Sequence, residues 1–192
     1  IFTGGDNDGS PRTYFNTIEF VTIASTGNGL DFGDRVAGGN SRIGTGSSPT
    51  RGVMAGSQTS PNKQIDFITI ATTGNSSDFG DLFKVGSNCA GACSATRMVI
   101  GGPFSPVKAM DFLTIATTGN AISFGDMTVL RSSFASMSDC VRGVFAGGDG
   151  SPAQFSEIDY FNIATQGDAV DFGDLPYDNQ QCAGCSNGHG GL

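Results

Sequence analysis

One phrase recurs four times along this chain and limits its fold more than any other feature. It runs from Thr22-Ile23-Ala24 to Asp31-Phe32-Gly33-Asp34, and its other copies open at Thr69, Thr114 and Asn162 and close at Asp81, Asp126 and Asp174. The copies start 47, 45 and 48 residues apart, and a steady period of that size marks stacked or radially arranged supersecondary units. An even repeat along 192 residues favours a single domain, 1–192, over two unlike ones.

Aligned, each copy contains four strand-like segments. Ahead of the phrase stand Ile18-Glu19-Phe20-Val21, Ile65-Asp66-Phe67-Ile68, Met110-Asp111-Phe112-Leu113 and Ile158-Asp159-Tyr160-Phe161. With the Ile-Ala step that follows, both faces are apolar, as in a strand covered on two sides. The acidic column is expected to mark the strand's exposed mouth. Further upstream, runs such as Val99-Ile100-Gly101-Gly102 and Val144-Phe145-Ala146-Gly147-Gly148 read as strands that exit through glycines able to take positive φ. A Ser-Pro step follows in a loop of variable length, where a residue lacking an N–H disturbs no ladder. Phe32, Phe79, Phe124 and Phe172 predict short outer strands whose rings fill the space between units. Segments of very small side chains, among them Gly44-Thr45-Gly46-Ser47-Ser48, Cys89-Ala90-Gly91-Ala92-Cys93 and Cys182-Ala183-Gly184-Cys185, predict strands crowded by neighbouring backbone.

Four strands in about 45 to 50 residues is the size of a β-propeller blade. The expected fold is all-β, a four-bladed β-propeller with four strands per blade and repeats over approximately 1–42, 43–88, 89–132 and 133–180. Residues 181–192 carry a small-residue strand without a blade of its own. They are expected to complete the first blade, so that the C-terminal strand closes the ring and leaves no long bare edge.

Composition removes several classes. There are 30 glycines and 38% apolar residues with no long apolar run, so a membrane-spanning helix, which needs about 18 such residues, is not expected. With 18 acidic against 10 basic side chains and a net charge of −8, the surface repels phosphate backbones, and nucleic acid is not expected as a partner. No charged and apolar leader follows Ile1, so a processed product or a segment of something longer is expected. The five cysteines, at 89, 93, 140, 182 and 185, are odd in number and do not suggest a disulfide framework. Compact buried thiols are the first expectation, ahead of disulfides and of zinc, for which a single histidine supplies too few partners. No metal or other cofactor is expected.

The glycine doublet after an apolar strand, the next strand opening on an acidic and an aromatic residue, the aromatic near the fourth strand and the basic residue before the next unit together resemble kelch-type propeller repeats. The likeness covers all four copies, with Phe where kelch repeats usually carry Trp, which this chain lacks, and with a longer turn between the third and fourth strands. Thr69-Ile70-Ala71-Thr72-Thr73-Gly74-Asn75 followed by Asp78-Phe79-Gly80-Asp81, and the Ser47-Ser48-Pro49-Thr50-Arg51-Gly52 step, are similar to kelch-like repeats in large virion structural proteins of tailed phages, notably those of aquatic and cyanobacterial hosts. That resemblance implies a tail-fibre or surface component, located at the virion surface or outside the cell, assembled with other virion or fibre subunits.

Residues present in every copy are read first as structural. Asp34, Asp81, Asp126 and Asp174 are expected to bond turn amides and not calcium, whose loops space their ligands differently. Arg51, Arg97 and Arg142, with His189 in the fourth place, are expected within reach of those carboxylates. Asn75-Ser76-Ser77 has the pattern of a glycosylation acceptor. Nothing forms a catalytic constellation. His189 lies in a glycine-rich string although a triad needs a rigidly held base, and acidic pairs such as Asp6 with Asp8 or Asp31 with Asp34 are more often solvated turn residues than an acid and its base.

Ligand-binding candidates are the residues that break the repeat, in loops joining second and third strands on one end of the blades: Asp6, Asp8, Arg12, Tyr14 and Phe15, then Lys63, then Phe104 and Lys108, then Asp149 and Phe155. Aromatic rings cover sugar C–H faces while Asp, Asn and Arg satisfy hydroxyls; the plain alternative is that such loops vary without consequence. The expected function is a non-enzymatic module displaying these loops to a neighbouring subunit or a host-surface glycan. The alternatives are an extracellular lectin of cellular origin and a propeller glycoside hydrolase.

Overall fold

The computed structural model describes residues 1–7, 9–39, 42–57, 60, 62–83, 86, 88–102, 108–150 and 153–186. All of the regular structure among them is β, as befits a chain interrupted by Gly, Ser and Asn every few residues. The first sheet comprises β1 (Phe2–Thr3), β2 (Thr17–Phe20) and β3 (Leu30–Asp34). The second comprises β4 (Gly44–Ser47), β5 (Arg51–Ala55), β6 (Gln64–Thr69) and β7 (Ser77–Asp81). β8 (Ala90–Cys93), β9 (Arg97–Gly101), β10 (Ala109–Thr114) and β11 (Ile122–Asp126) make the third, and β12 (Ala135–Ser138), β13 (Arg142–Ala146), β14 (Glu157–Asn162) and β15 (Val170–Asp174) the fourth. Every sheet is an antiparallel meander in chain order.

The repeat in sequence is a repeat in register. Ile18 faces Gly33, and the next pair is Glu19 with Asp31, so Phe32 is the extra residue of a bulge; the same shift recurs in each sheet. A bulge re-aims one side chain. Here it is the phenylalanine, which meets its partner on the third strand edge-on, as in Phe20–Phe32 and Phe67–Phe79, both with ring centroids 6.0 Å apart.

The core lies in the seams between consecutive sheets. One cluster joins Ile18 and Phe32 to Met54 and Ile68, a second joins Ile65 and Phe79 to Met98, Leu113 and Ile115, and a third joins Met110 and Phe124 to Phe145, Phe161 and Ile163. Backbone stitches each seam. Gly74 N–H donates to Phe32 C=O and Ser76 N–H to Asp34 C=O, and the pattern repeats from Gly119 to Phe79 and from Gly167 to Phe124. The small-residue strands pack side by side as expected, with the Ser136 and Ser138 hydroxyls donating to the Gly91 and Cys93 carbonyls.

Two expectations are corrected. Among the described residues β1 pairs only with β2 and 182–186 carries no strand, so this part of the C-terminal segment does not complete the first sheet. That segment continues the side-by-side row instead, lying along β12, where the Gln181 N–H donates to Ser133 C=O at 2.8 Å and the Ser186 hydroxyl to Ser138 C=O. The acidic column is a wet mouth only in the first unit, where Glu19 is exposed. Asp66, Asp111 and Asp159 are buried, because the seam with the preceding sheet covers the third strand.

Candidate functional site

Gly44 pairs with Ala55, Ala90 with Gly101 and Ala135 with Ala146. The loops leaving the second strand therefore share an end of each sheet with the entry to its first strand. The described members of the predicted loop set fall on this end. In the first loop Asp6 bridges to Tyr14 and lies 3.5 Å from the Arg12 guanidinium. The Tyr14 carbonyl fills the space beside Gly39, and Phe15 is exposed. Lys63 is exposed, and the Lys108 ammonium donates to Thr128 C=O at 2.7 Å. Asp149 bridges to Ser132 and Gln154, and the Phe155 ring packs against Gly150. Asp8, Phe104 and His189 lie outside the described residues. Asp6, Arg12 and Tyr14 are thus one group and Asp149 with Phe155 another; the described contacts do not merge them into a single site.

What does converge is a set the sequence does not flag. Arg42, Asn88, Ser133 and Gln181 each stand just ahead of a small-residue segment, and all four have left-handed backbone, with φ of 59°, 60°, 56° and 56°. Such a backbone at a non-glycine residue costs on the order of 1 kcal/mol. It lets the chain of one unit bond the next: Cys89 N–H donates to Arg42 C=O, Ser133 N–H to Asn88 C=O and Gln181 N–H to Ser133 C=O. All four line one cavity of about 400 Å³, walled by β4, β8, β12 and 182–184. The Arg42 Nη1 reaches Asn88 Oδ1 at 3.4 Å. A guanidinium, a hydroxyl and two carboxamides around a cavity of this size can satisfy a polyhydroxylated or carboxylate-bearing molecule. Their four identities differ and only Asn commonly takes this conformation, so no motif betrays them.

Two of the third-strand acids are occupied structurally, in buried pairs with an arginine of the preceding unit. The Arg35 Nε lies 3.0 Å from Asp66 Oδ2, and the Arg131 Nη2 3.0 Å from Asp159 Oδ2, with all four side chains fully buried. Burial pushes the Asp66 carboxyl up and the Arg35 guanidinium down, each opposed by its partner's charge. Arg51 and Arg97 do not pair with the Phe-Gly-Asp carboxylates. Each guanidinium stacks on an aromatic ring, Phe67 at 4.5 Å and Phe112 at 4.3 Å, and donates to carbonyls of the next unit, Ile115 and Ala116 or Ile163 and Ala164. The repeat's aspartates also act through their main chain: the Asp34, Asp81 and Asp126 N–H groups donate to the side chains of Asn75, Asn120 and Asp168. The carboxamide of Asn75, the sequon residue, is thereby engaged in a seam.

None of the five cysteines forms a disulfide. Cys89 is buried, and burial together with nearby Asp111 pushes its pKa up to about 12, which suits a compact core side chain. Cys185 is exposed, where burial was expected. Among the described residues no group of three or more His, Cys, Asp or Glu is placed to hold a metal.

No model of a known protein family matches the chain, and no curated protein is significantly similar to it.

Proposed function

We propose that the four sheets are kelch-like propeller blades and that the chain is a non-enzymatic display module of a virion surface or fibre. Its working end carries the loops between second and third strands and the polar cavity mouth at Arg42, Asn88, Ser133 and Gln181. The observation that carries this reading is the convergence of those four residues on the same end as the irregular loops, while Arg35, Asp66, Arg131 and Asp159 are consumed by buried pairs. Rigid presentation of unequal loops on equal sheets is how binding surfaces are commonly built. The ligand class is a host-surface glycan, held by hydroxyl-directed hydrogen bonds from the mouth and by ring stacking on Phe15.

The test is retention of the protein on immobilised host polysaccharide. Retention without release of sugars, weakened about tenfold by Arg42→Ala as expected for one charged hydrogen bond, supports the reading. Release of reducing sugars supports a hydrolase instead, and absence of retention removes the glycan as ligand.

A further inference from the structure

The geometry points to a head-to-tail contact in which a second copy of this chain docks its first sheet against the fourth sheet of its neighbour. Each of the three seams within the chain has two halves. The leading half offers a bulged phenylalanine, the carbonyl beside it and, in the later seams, an arginine from the second strand. The following half offers a Gly-Asn or Gly-Asp turn, an apolar second and third strand, and the Ile-Ala carbonyls. The leading half of a fourth seam and the following half of a seam before the first are both present and, among the described residues, both bare.

Exposure shows this position by position. Phe32, Phe79 and Phe124 are 4%, 2% and 3% exposed, whereas Phe172 is 57% exposed. Ile115 and Ile163 are 1% exposed and Ile70 is 37% exposed, whereas Ile23, in the same place of the first unit, is 98% exposed. Phe2 stands where Met54 and Phe145 are buried, and it is 62% exposed. A Cβ added at Gly80 would strike the Gly119 carbonyl, while one added at Gly173 meets nothing within 4 Å. Arg142 stacks on Tyr160 at 4.7 Å, in the pose from which Arg97 donates to Ile163 and Ala164, and Ile23 and Ala24 are the matching carbonyls of the first unit. The innermost strands add a further match. The first sheet lacks one, leaving a largely apolar space of about 830 Å³ between residues 1–5 and β4–β5. Residues 182–186 form a surplus inner segment, and their Cys-Ala-Gly-Cys order resembles the opening of the strand at 89–93. A copy bringing 182–186 against β1 fills that space by strand addition. The contact joins unlike surfaces, so it closes into a ring or propagates.

Two variants test it, Phe172→Glu on the leading end and Ile23→Glu on the following end, with light scattering coupled to gel filtration over a wide concentration range. Both residues are exposed, and an unchanged thermal midpoint of the monomer shows that each variant folds. The wild-type chain is expected to gain mass with concentration. Each variant alone loses that association, and an equimolar mixture of the two, which retains one intact seam, stops at a one-to-one dimer. A wild-type monomer throughout, including one whose ends close on each other, would overturn the proposal, as would a variant that still self-associates or a mixture that does not. The outcome is independent of whether any glycan is retained.

Discussion

The glycine of each Phe-Gly-Asp step is required by the neighbouring unit as well as by its own bulge. Gly80 has φ of +144°, and a Cβ there would lie 2.5 Å from Gly119 O. Gly173 has a comparable φ of +138° without the neighbour. Gly80→Ala is therefore expected to cost about 2–4 kcal/mol, strain plus displaced seam. Gly173→Ala should cost only the backbone strain, about 1–3 kcal/mol, and less than Gly80→Ala, a difference that chemical denaturation of the monomer measures. A second residue-scale device closes the turn between first and second strands. The Ser48 hydroxyl accepts from the N–H groups of Thr50 and Arg51, and Ser94 from Thr96 and Arg97. Asp139 does the same for Val141 and Arg142. Those amide bonds hold the Asp139 carboxyl below its ordinary 3.8. A depressed carboxyl stabilises the fold above its unfolded pKa, and that contribution is lost as pH falls through the folded value. The thermal midpoints of wild type and Asp139→Ala should converge under acid conditions, while Asp139→Ser, copying its sister turns, should keep the cap without the pH dependence.

At the scale of elements, consecutive sheets are locked by buried charge as well as by aromatic packing. Asp159 on β14 receives the Arg131 guanidinium, the Thr128 hydroxyl and the Thr128 N–H from the segment that leaves β11. Arg131 also donates to the Glu157 and Phe145 carbonyls, which ties that segment to two strands of the next sheet. Removing one partner strands a buried charge. Asp159→Ala is expected to destabilise by about 3–5 kcal/mol, whereas Arg131→Met with Asp159→Leu should recover most of the loss, measured by urea unfolding of the single and double variants. The units are not interchangeable here, because the first seam uses Arg35 directly after its Phe-Gly-Asp step and the last uses Arg131 from further along.

The whole molecule is a row of four sheets whose stability resides in three seams, with its reactive groups sorted by depth. At about pH 8 a thiol reagent should label Cys185 in the folded protein and leave Cys89 untouched until unfolding, because a thiol held near 12 has almost no thiolate. Dithiothreitol should not shift the thermal midpoint, since no disulfide is formed. Most of the strands were legible in the chain, because alternation, glycine exits and turn residues are local devices that act within a few residues, whereas the bulge at Phe-Gly-Asp emerges only from the pairing register. The seam-filling role of Phe32, Phe79 and Phe124 was legible for the same reason: one column kept one ring. Contacts between units were not. The buried state of Asp66 and Asp159, the turn of Arg51 and Arg97 toward carbonyls instead of carboxylates, and the meeting of Arg42, Asn88, Ser133 and Gln181 all depend on which residues stand opposite across a seam. The sequence by itself determined four repeats of strand-forming segments. Only the tertiary structure decided that, among the described residues, their row has two bare ends and one shared polar mouth, because side-by-side packing of the inner strands sets where the last segment lies.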